Sequence, residues 1–382
     1  MKKSLIAVAV AGLFAAPVAM ADVTISGAIN LGIELSKSSA GTAGGSSLSR
    51  NQLNANYSNI NISSTDDIGN GNKVVFNYQL VVNPSATAGN PVNRNSYLGI
   101  AGTWGAFKMG TNENVYERHM YQADPLDGAL GPGGNLMILG TPGVNTAFDV
   151  GQGGCAANAT GLGCVGFYRR TDQTIWYESS NWSGFTFEVD YTLSAFKTTT
   201  GEDPKVLSIG GKFAPEGAPF YIDAAYEKHD DMFGARALGA AGGTGSSDTG
   251  IQVGGGFNIG DLGLHLRYEI LKYEIDGSTT TVNSYERDAV WFGVKWNLPS
   301  GYVGAELGVA GEGDTNNGTA TDTGAAMFGI GYFHNLSKQS QLQFIYGRTD
   351  NDAAASYTQA AAPLGTAGSD HQVFHVGIKH TF

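Results

Sequence analysis

One long stretch of the chain, residues 112–171, concentrates side chains that could act together. Its acidic residues are Glu113, Glu117, Asp124 and Asp127, and the basic residues in it or near it are Arg94, Arg118, Arg169 and Arg170. Such residues carry ordinary solvated charge in an exposed loop. If they share a confined space, they instead decide which ions can enter it.

Catalytic and metal-binding patterns give no competing explanation. The sequence has no P-loop, no G-x-S-x-G and no H-E-x-x-H motif, so an enzymatic function has no support in it. The segment DTNNG (314–318) loosely resembles a calcium loop but lacks the rest of that pattern. Cys155 and Cys164 fit neither zinc nor haem spacing. We therefore expect no metal and no cofactor.

The first 21 residues have the features of a secretory signal peptide. Lys2 and Lys3 precede a short apolar segment, and Ala19-Met20-Ala21 forms an A-x-A cleavage site. Cleavage before Asp22 changes the formal net charge from −12 to −14, and this acidic balance argues against a nucleic-acid partner. In the oxidising compartment that a secreted chain enters, Cys155 and Cys164 are predicted to form a local disulfide.

The remaining sequence predicts strands. No apolar run approaches the ~18 residues of a membrane-spanning helix. Apolar and polar residues alternate with a period of two in many segments, and in 185–194 one face carries Phe185, Phe187, Val189, Tyr191 and Leu193. Alternation by itself fits either a membrane barrel or a soluble β-sandwich, because both bury one face.

The connections between the alternating segments favour a barrel. Seven short connections, such as GTWG (102–105) and PEGA (215–218), alternate with eight longer ones rich in Gly, Ser, Asn and Asp. Sixteen strands with both termini on the short-turn side would result. This asymmetry is typical of outer-membrane barrels, which have short periplasmic turns and long extracellular loops.

Five segments, taken in order, resemble the general porins of betaproteobacteria and neisseriae. They are DVTISGAINLGIE, SSTDDIGNGNKVVFNYQL, NRNSYLGIAGTWGAFKMG, YESSNWSGFTFEVDYT and the C-terminal VFHVGIKHTF. The resemblance covers nearly all of residues 22–382. It implies an all-β fold, a sixteen-stranded antiparallel transmembrane β-barrel embedded in outer-membrane lipid, and a homotrimer that lets small hydrophilic solutes diffuse passively.

The resemblance also implies roles for particular residues. The third loop, residues 112–171, would fold inward as a constriction in which Glu113, Glu117, Asp124 and Asp127 face the basic residues Arg94, Arg118, Arg169 and Arg170. Adjacent strand residues face opposite ways, so only one of Arg169 and Arg170 should reach the lumen. The terminal Phe382 is similar to the signal that the barrel-assembly machinery reads.

The chain departs from the family pattern at three basic positions, where it has Asn59, Thr111 and Trp176. We therefore expect a thin basic cluster, a near-neutral or weakly cation-selective pore, and Arg94 as the most influential wall cation. One alternative is a substrate-specific channel, which Trp104, Trp176 or Trp182 in the lumen would support. An enzyme or adhesin on the same fold would need a catalytic set or a folded loop domain, and the sequence shows neither.

Overall fold

Antiparallel strands account for most of the described chain, as the alternation of polarity predicts. The computed structural model describes residues 22–42, 44, 46–86, 92–122, 124–126, 132–143, 166–193, 197, 199, 201, 203–231, 245–275, 283–359 and 366–382. The strands in these ranges are β1 (Asp22–Ser38), β2 (Leu48–Asn54), β3 (Asn59–Gly69), β4 (Asn72–Val81), β5 (Val92–Gly102), β6 (Gly105–Glu113), β7 (Arg170–Ser179), β8 (Phe185–Thr192), β9 (Lys205–Phe213), β10 (Phe220–Asp230), β11 (Ser246–Ile259), β12 (Leu262–Ile275), β13 (Ser284–Leu298), β14 (Gly301–Ala310), β15 (Gly313–Thr315), β16 (Gly318–Ala320), β17 (Ala325–Asn335), β18 (Ser340–Asn351) and β19 (His371–Thr381).

Sixteen of these strands form a closed antiparallel barrel, which confirms the predicted fold. Strands β2 and β3 both pair with β1 and are two halves of one barrel strand, while β15 and β16 form a small hairpin in a loop. The ring closes where β19 pairs with β1. At this seam the backbone groups of Gly27 and Phe382 exchange hydrogen bonds of 3.0 and 3.1 Å.

The two faces of the barrel differ as a membrane protein requires. In β12, Leu266 and Tyr268 are 56% and 43% exposed on the outer face, whereas Arg267 and Glu269 between them are fully buried on the inner face. The same alternation recurs around the barrel. The apolar outer band and polar interior are those of a transmembrane barrel.

Short and long connections alternate as predicted, with seven short turns at one end of the barrel and eight longer loops at the other. The third loop is slightly shorter than the predicted 112–171. Asn112 and Glu113 pair with Thr171 and Arg170, so β6 ends at Glu113, β7 begins at Arg170, and the loop comprises residues 114–169.

The described part of the third loop contains helix α1 (Val115–Tyr121) and a 3-10 turn (Asn135–Met137). Within the ranges given above, no helix is long and apolar enough to cross a membrane. The loop packs against the polar, inward-facing side of the sheet, where α1 contacts β8, β9 and β10.

Glycines on the inner wall mark where the loop passes. A Cβ added at Gly304 of β14 would lie 2.4 Å from the carbonyl oxygen of Pro125, and one at Gly329 of β17 would lie 2.5 Å from that of Gly133. A Cβ at Gly347 of β18 would lie 2.4 Å from the nitrogen of Gly133. Real side chains do not approach backbone so closely, so these positions admit the loop only because they lack a side chain.

Gly304→Ala should therefore displace the loop and destabilise the barrel by about 1–3 kcal/mol, the usual cost of overpacking. Gly211→Ala is the matched control, because its nearest neighbour would be 3.6 Å away. The measurement is the free energy of unfolding in urea of both variants, refolded in the same lipid. Equal stability of Gly304→Ala and the unsubstituted protein would contradict the close packing of loop and wall.

Candidate functional site

The wall of the barrel caps the first turn of helix α1. Asp190 of β8 accepts a hydrogen bond from the backbone nitrogen of Val115 at 2.9 Å, and Ser208 of β9 accepts one from that of Tyr116 at 3.0 Å. Asn114, just before the helix, makes no capping bond to α1 and instead donates to Glu227 of β10 at 2.8 Å. Distant strands thus supply the acceptors that a helix N-terminus needs.

A buried carboxylate on β12 holds two parts of the loop together. Glu269 accepts hydrogen bonds from the Tyr116 hydroxyl at 2.9 Å and from the Gly140 nitrogen at 2.9 Å, and it pairs with Arg287 of β13 at 2.8 Å. Arg287 in turn donates through Nε to the carbonyl oxygen of Thr141 at 2.9 Å. The wall therefore holds the loop both near its start, at Tyr116, and further along, at Gly140 and Thr141.

Four of the predicted residues meet in one ionic cluster at the base of the loop. Glu113 Oε1 accepts a hydrogen bond from Arg170 Nη2 and lies 3.6 Å from Arg94 Nη2. Arg170 Nη2 also lies 3.8 Å from Glu117 Oε1. Asn95 joins the cluster by accepting a hydrogen bond from Arg170 Nε at 3.2 Å. Two carboxylates and two guanidinium groups thus face one another, and their formal charges cancel.

Tyr57 supports this cluster from the break between β2 and β3. The guanidinium carbon of Arg94 lies 4.2 Å from the centroid of the Tyr57 ring, which is a cation–π arrangement. Tyr57 has φ 53, a left-handed conformation that costs a non-glycine residue roughly 1–2 kcal/mol. The break in the barrel strand is therefore what brings an aromatic face under Arg94.

Glu117 is the titratable member of the cluster. Burial, followed by the negative charge of Glu113, raises the pKa of Glu117 to about 7, although Arg170 acts in the opposite direction. The Tyr121 hydroxyl donates a hydrogen bond to Glu117 Oε1 at 2.6 Å. Near neutral pH the cluster can therefore gain or lose one negative charge.

The other described site residues make their ion pairs and side-chain hydrogen bonds outside the cluster, although Arg118 also donates a hydrogen bond to the carbonyl oxygen of Glu113. Arg118 pairs with Glu188 of β8 at 2.5 Å, and Arg169 lies 3.8 Å from Glu227 and is almost fully buried. Asp124 accepts hydrogen bonds from the backbone of Leu126 at 2.8 Å and of Asn135 at 3.0 Å, so it stabilises the loop itself. Asp127, Cys155, Cys164 and the signal segment 1–21 lie outside the described residues, and their roles stay predictions.

Both Arg169 and Arg170 reach inward-facing carboxylates, although strand alternation allowed only one to do so. Arg169 precedes β7, which begins at Arg170, so strand geometry does not constrain its direction.

Three lysines on the inner wall were missed from the sequence. Lys212 of β9 donates a hydrogen bond to Gln122 at the edge of the loop at 2.7 Å, and Lys295 of β13 lies 4.1 Å from the ring centroid of Tyr302. Lys108 of β6 pairs with Glu178 at 2.6 Å. Each lies on the same side of its strand as the buried inner-wall residues. The alternation of polarity in the sequence is therefore enough to place all three lysines on the inner wall.

Comparison with known proteins agrees with this geometry. A sequence profile of the Gram-negative porin family matches residues 7–354. Outer membrane porin protein 32 of Delftia acidovorans is 25% identical over the full length of both chains. The major outer membrane protein P.IB of Neisseria meningitidis serogroup B is 35% identical over 117 residues, 30% of this chain and 35% of the relative. An anion-selective porin from Comamonas acidovorans has the same fold, with a TM-score of 0.70, 19% identity and coverage of 95% of this chain and 100% of that one.

The chain belongs to the Gram-negative porin family. It is an outer-membrane β-barrel and forms a passive diffusion channel for small hydrophilic solutes. No group of three or more His, Cys, Asp or Glu side chains in the described part of this porin is arranged to hold a metal ion.

The three tryptophans considered for substrate stacking offer this porin little ligand surface. Trp176 points inward, but it is 2% exposed, packs edge-on against Tyr97 and donates to Glu178 at 3.0 Å. Trp104 and Trp182 lie in or beside the short turns and are 41% and 52% exposed among outward-facing aromatic residues. The substrate-specific alternative therefore lacks the stacking surface on which it depended.

The raised pKa of Glu117 predicts a pH-dependent pore. Below about pH 7 Glu117 is protonated and the cluster carries a net positive charge, so anion preference should rise as the pH falls from 8.5 to 5.5. Glu117→Gln should keep the high anion preference throughout this range. The measurement is the reversal potential across a planar bilayer in a KCl gradient. An unchanged pH profile in Glu117→Gln would assign the titration to another group.

Proposed function

We propose that this porin is a non-specific channel in which the third loop narrows the lumen and the Arg94–Glu113–Arg170–Glu117 cluster lies at the constriction. The observation that carries the proposal is the loop's attachment to the inner wall through Asp190, Ser208 and Glu269. A loop held in this way reduces the open cross-section at a fixed depth. Charges at that depth act on passing ions in a confined space, where they are screened less than in open solution.

The proposed selectivity is close to neutral with a weak preference for anions. The sequence alone predicted a near-neutral or weakly cation-selective pore, because that prediction treated the acidic residues as unpaired charges. Glu113 and Glu117 instead face Arg94 and Arg170, which offsets their charge. Lys212 and Lys295 each lie on the inner wall without a carboxylate within ion-pair distance among the described residues. The relative described as anion-selective has the same fold, which is compatible with this proposal.

The experiment is single-channel recording in planar bilayers. Purified protein should give stepwise conductance increases, and a KCl gradient should give a small reversal potential of the anion-selective sign. Lys212→Gln, Lys295→Gln and Arg94→Ala should each lower the anion-to-cation permeability ratio, by about twofold for the lysines, because the attraction between two solvent-screened opposite charges is ~0.2–1 kcal/mol.

Lys228→Gln is the matched control for these variants, since Lys228 lies on the outer face beside Asp230. Its reversal potential should equal that of the unsubstituted porin. A membrane that stays silent with correctly folded protein would refute the channel itself. Strong cation selectivity would refute only the proposed charge balance.

Phe382 is proposed to carry the assembly signal for the barrel-assembly machinery. It lies at the seam, where its backbone bonds with Gly27 join the last strand to the first, and its ring is 46% exposed on the surface. The exposed ring is available to another protein, whereas the backbone is committed to the seam.

Deleting Phe382 should leave export intact and strongly reduce the amount of folded barrel in the outer membrane. Phe382→Ala separates the two roles, because it keeps the backbone bonds and removes the ring. Quantitative detection of heat-resistant folded protein in outer-membrane fractions measures the effect. If Phe382→Ala assembles normally while the deletion fails, the seam and not the aromatic ring would be responsible.

A homotrimer is the proposed oligomeric state. The outer-membrane protein OmpT of Vibrio cholerae, whose structure is described as a trimer form, shares the fold with a TM-score of 0.62 and 12% identity. The proposal rests on this shared architecture and on the wide apolar outer surface, part of which neighbouring copies would cover.

A further inference from the structure

An arc of partly exposed basic and tyrosine side chains lines the inner wall next to the short turns. Its members are Lys212 of β9, Tyr221 of β10, His265 of β12, Lys295 of β13 and Tyr302 of β14. Each lies among the four strand residues nearest a short turn. At ~3.3 Å per strand residue, the arc lies within about 13 Å of the short-turn end, which faces the periplasm.

Both lysines of the arc are held over an aromatic ring. The ammonium nitrogen of Lys212 lies 4.6 Å from the ring centroid of Tyr221, and that of Lys295 lies 4.1 Å from the centroid of Tyr302. The Tyr302 ring in turn stacks on the buried Phe333, with 4.4 Å between the centroids. A cation–π contact positions the ammonium group without neutralising it, so the charge stays available to a ligand.

His265 joins the two halves of the arc. Its Nδ1 is hydrogen-bonded to the Tyr221 hydroxyl at 3.1 Å, across a glycine of β11 that lies between them in register. A Cβ at this Gly256 would lie 2.4 Å from the Tyr221 ring and 2.7 Å from His265 Nδ1, so the contact requires glycine. The positive charges of Lys212 and Lys295 both act on the imidazole.

The acid nearest Lys212 is already engaged by other groups. Asp223 of β10 lies directly opposite Lys212 in register, is 4% exposed, and pairs with Arg267 at 2.9 Å and with His119 at 2.8 Å. Lys212 instead donates a hydrogen bond to the neutral side chain of Gln122, at the end of α1. The positive charge of Lys212 is therefore not offset.

Lys295 also lies without an acidic partner, because it forms no ion pair with any residue in the described ranges. The wall acid closest to it in register is Glu306 of β14, which is 1% exposed and accepts a hydrogen bond from Trp291. Two unpaired lysines thus flank an imidazole on one stretch of wall. A confined surface with one sign of charge concentrates counter-ions.

The third loop covers the wall directly above the arc. A Cβ at Gly293, which lies opposite His265, would be 3.1 Å from Pro125 Cδ of the loop. A Cβ at Gly304, opposite Lys295, would be 2.4 Å from the carbonyl oxygen of Pro125. The arc therefore lies in the vestibule between the loop and the periplasmic turns, where a large anion reaches it from the periplasmic side.

We propose that this arc binds extended, polyvalent phosphate-bearing anions at the periplasmic mouth of the channel. The site rests on the anion preference proposed above and adds a solute class and a place of binding to it. Lysine binds phosphate as a point charge, and the arc spans four strand intervals, or roughly 19 Å of wall. An anion with charges along its length interacts with both lysines and His265, whereas chloride gains from one lysine at a time and is not retained.

The test uses the full barrel, purified in a neutral detergent, and isothermal titration calorimetry with short-chain linear inorganic polyphosphate and with orthophosphate. The unsubstituted protein should bind polyphosphate more tightly than orthophosphate. Lys212→Gln and Lys295→Gln should each weaken polyphosphate binding about threefold, which is within the range for one solvent-screened ion pair. Lys295→Arg should retain the binding, because it keeps a cation over Tyr302.

A matched control removes a neutral pair from the wall near another short turn. Lys108 of β6 also lies over a tyrosine, 4.8 Å from the ring centroid of Tyr97, but it pairs with Glu178 at 2.6 Å. Combining Lys108→Gln with Glu178→Gln removes one cation and one acid and should leave polyphosphate binding unchanged. All the substituted side chains are partly exposed, so circular dichroism of each variant should match that of the unsubstituted barrel.

Single-channel recording locates the site along the pore. Polyphosphate added to one side of the bilayer should interrupt the current, and the same concentration on the other side should have little effect. Lys295→Gln should reduce the block on the sensitive side. Equal block from both sides that persists in Lys295→Gln would place the binding at the constriction and overturn the proposal. Equal polyphosphate binding by Lys295→Gln and the unsubstituted protein would overturn it as well.

Polyphosphate binding and ion preference are measured separately, because calorimetry requires no conduction. Binding that depends on Lys212 and Lys295 would support the site even if the reversal potential in KCl had the cation-selective sign. Absence of polyphosphate binding in a channel with the anion-selective sign would overturn the site and leave the proposed charge balance standing.

Discussion

Buried carboxylates on the inner wall need hydrogen-bond donors, and the third loop supplies them. Asp190, Glu227 and Glu269 are almost completely removed from solvent, and each accepts a hydrogen bond from the loop. An uncompensated carboxylate at such a depth costs several kcal/mol. The loop has the complementary need, because the free backbone donors at the start of α1 have no partners within the helix. Wall and loop therefore stabilise each other, and the path of the loop across the interior is fixed at these points.

The sequence predicted the barrel well because one rule governs every strand. A period of two separates lipid-facing from inward-facing residues, and the alternation of short and long connections determines the strand count. The rule does not specify which inward-facing residues touch one another. The hydrogen bond between Tyr116 and Glu269 joins residues 153 positions apart, and no local pattern marks either partner. The break between β2 and β3 was also missed, since both halves alternate normally and only their shared pairing with β1 reveals them as one strand.

The candidate site was predicted in part for the same reason. Glu113 and Arg170 end adjacent strands as register partners, so a sequence that places both strands also places this pair. Arg118 and Arg169 were assigned to the same group because they are near in sequence, yet they turn toward different strands. Lys212 and Lys295 were overlooked because they lie far from the loop in sequence. Proximity along the chain was thus a poor guide, whereas the inward face of each strand was a good one.

The inner-wall glycines give the channel an unusual way to change its width. The loop passes against the wall at Gly304, Gly329 and Gly347, which provide room only through the absence of a Cβ. The open cross-section is therefore determined partly by wall positions that touch no solute. A single methyl group added at one of them moves the loop by a fraction of its own thickness and replaces no charged residue. Descendants of this gene could adjust the size limit for solutes in small steps, separately from their preference for charge.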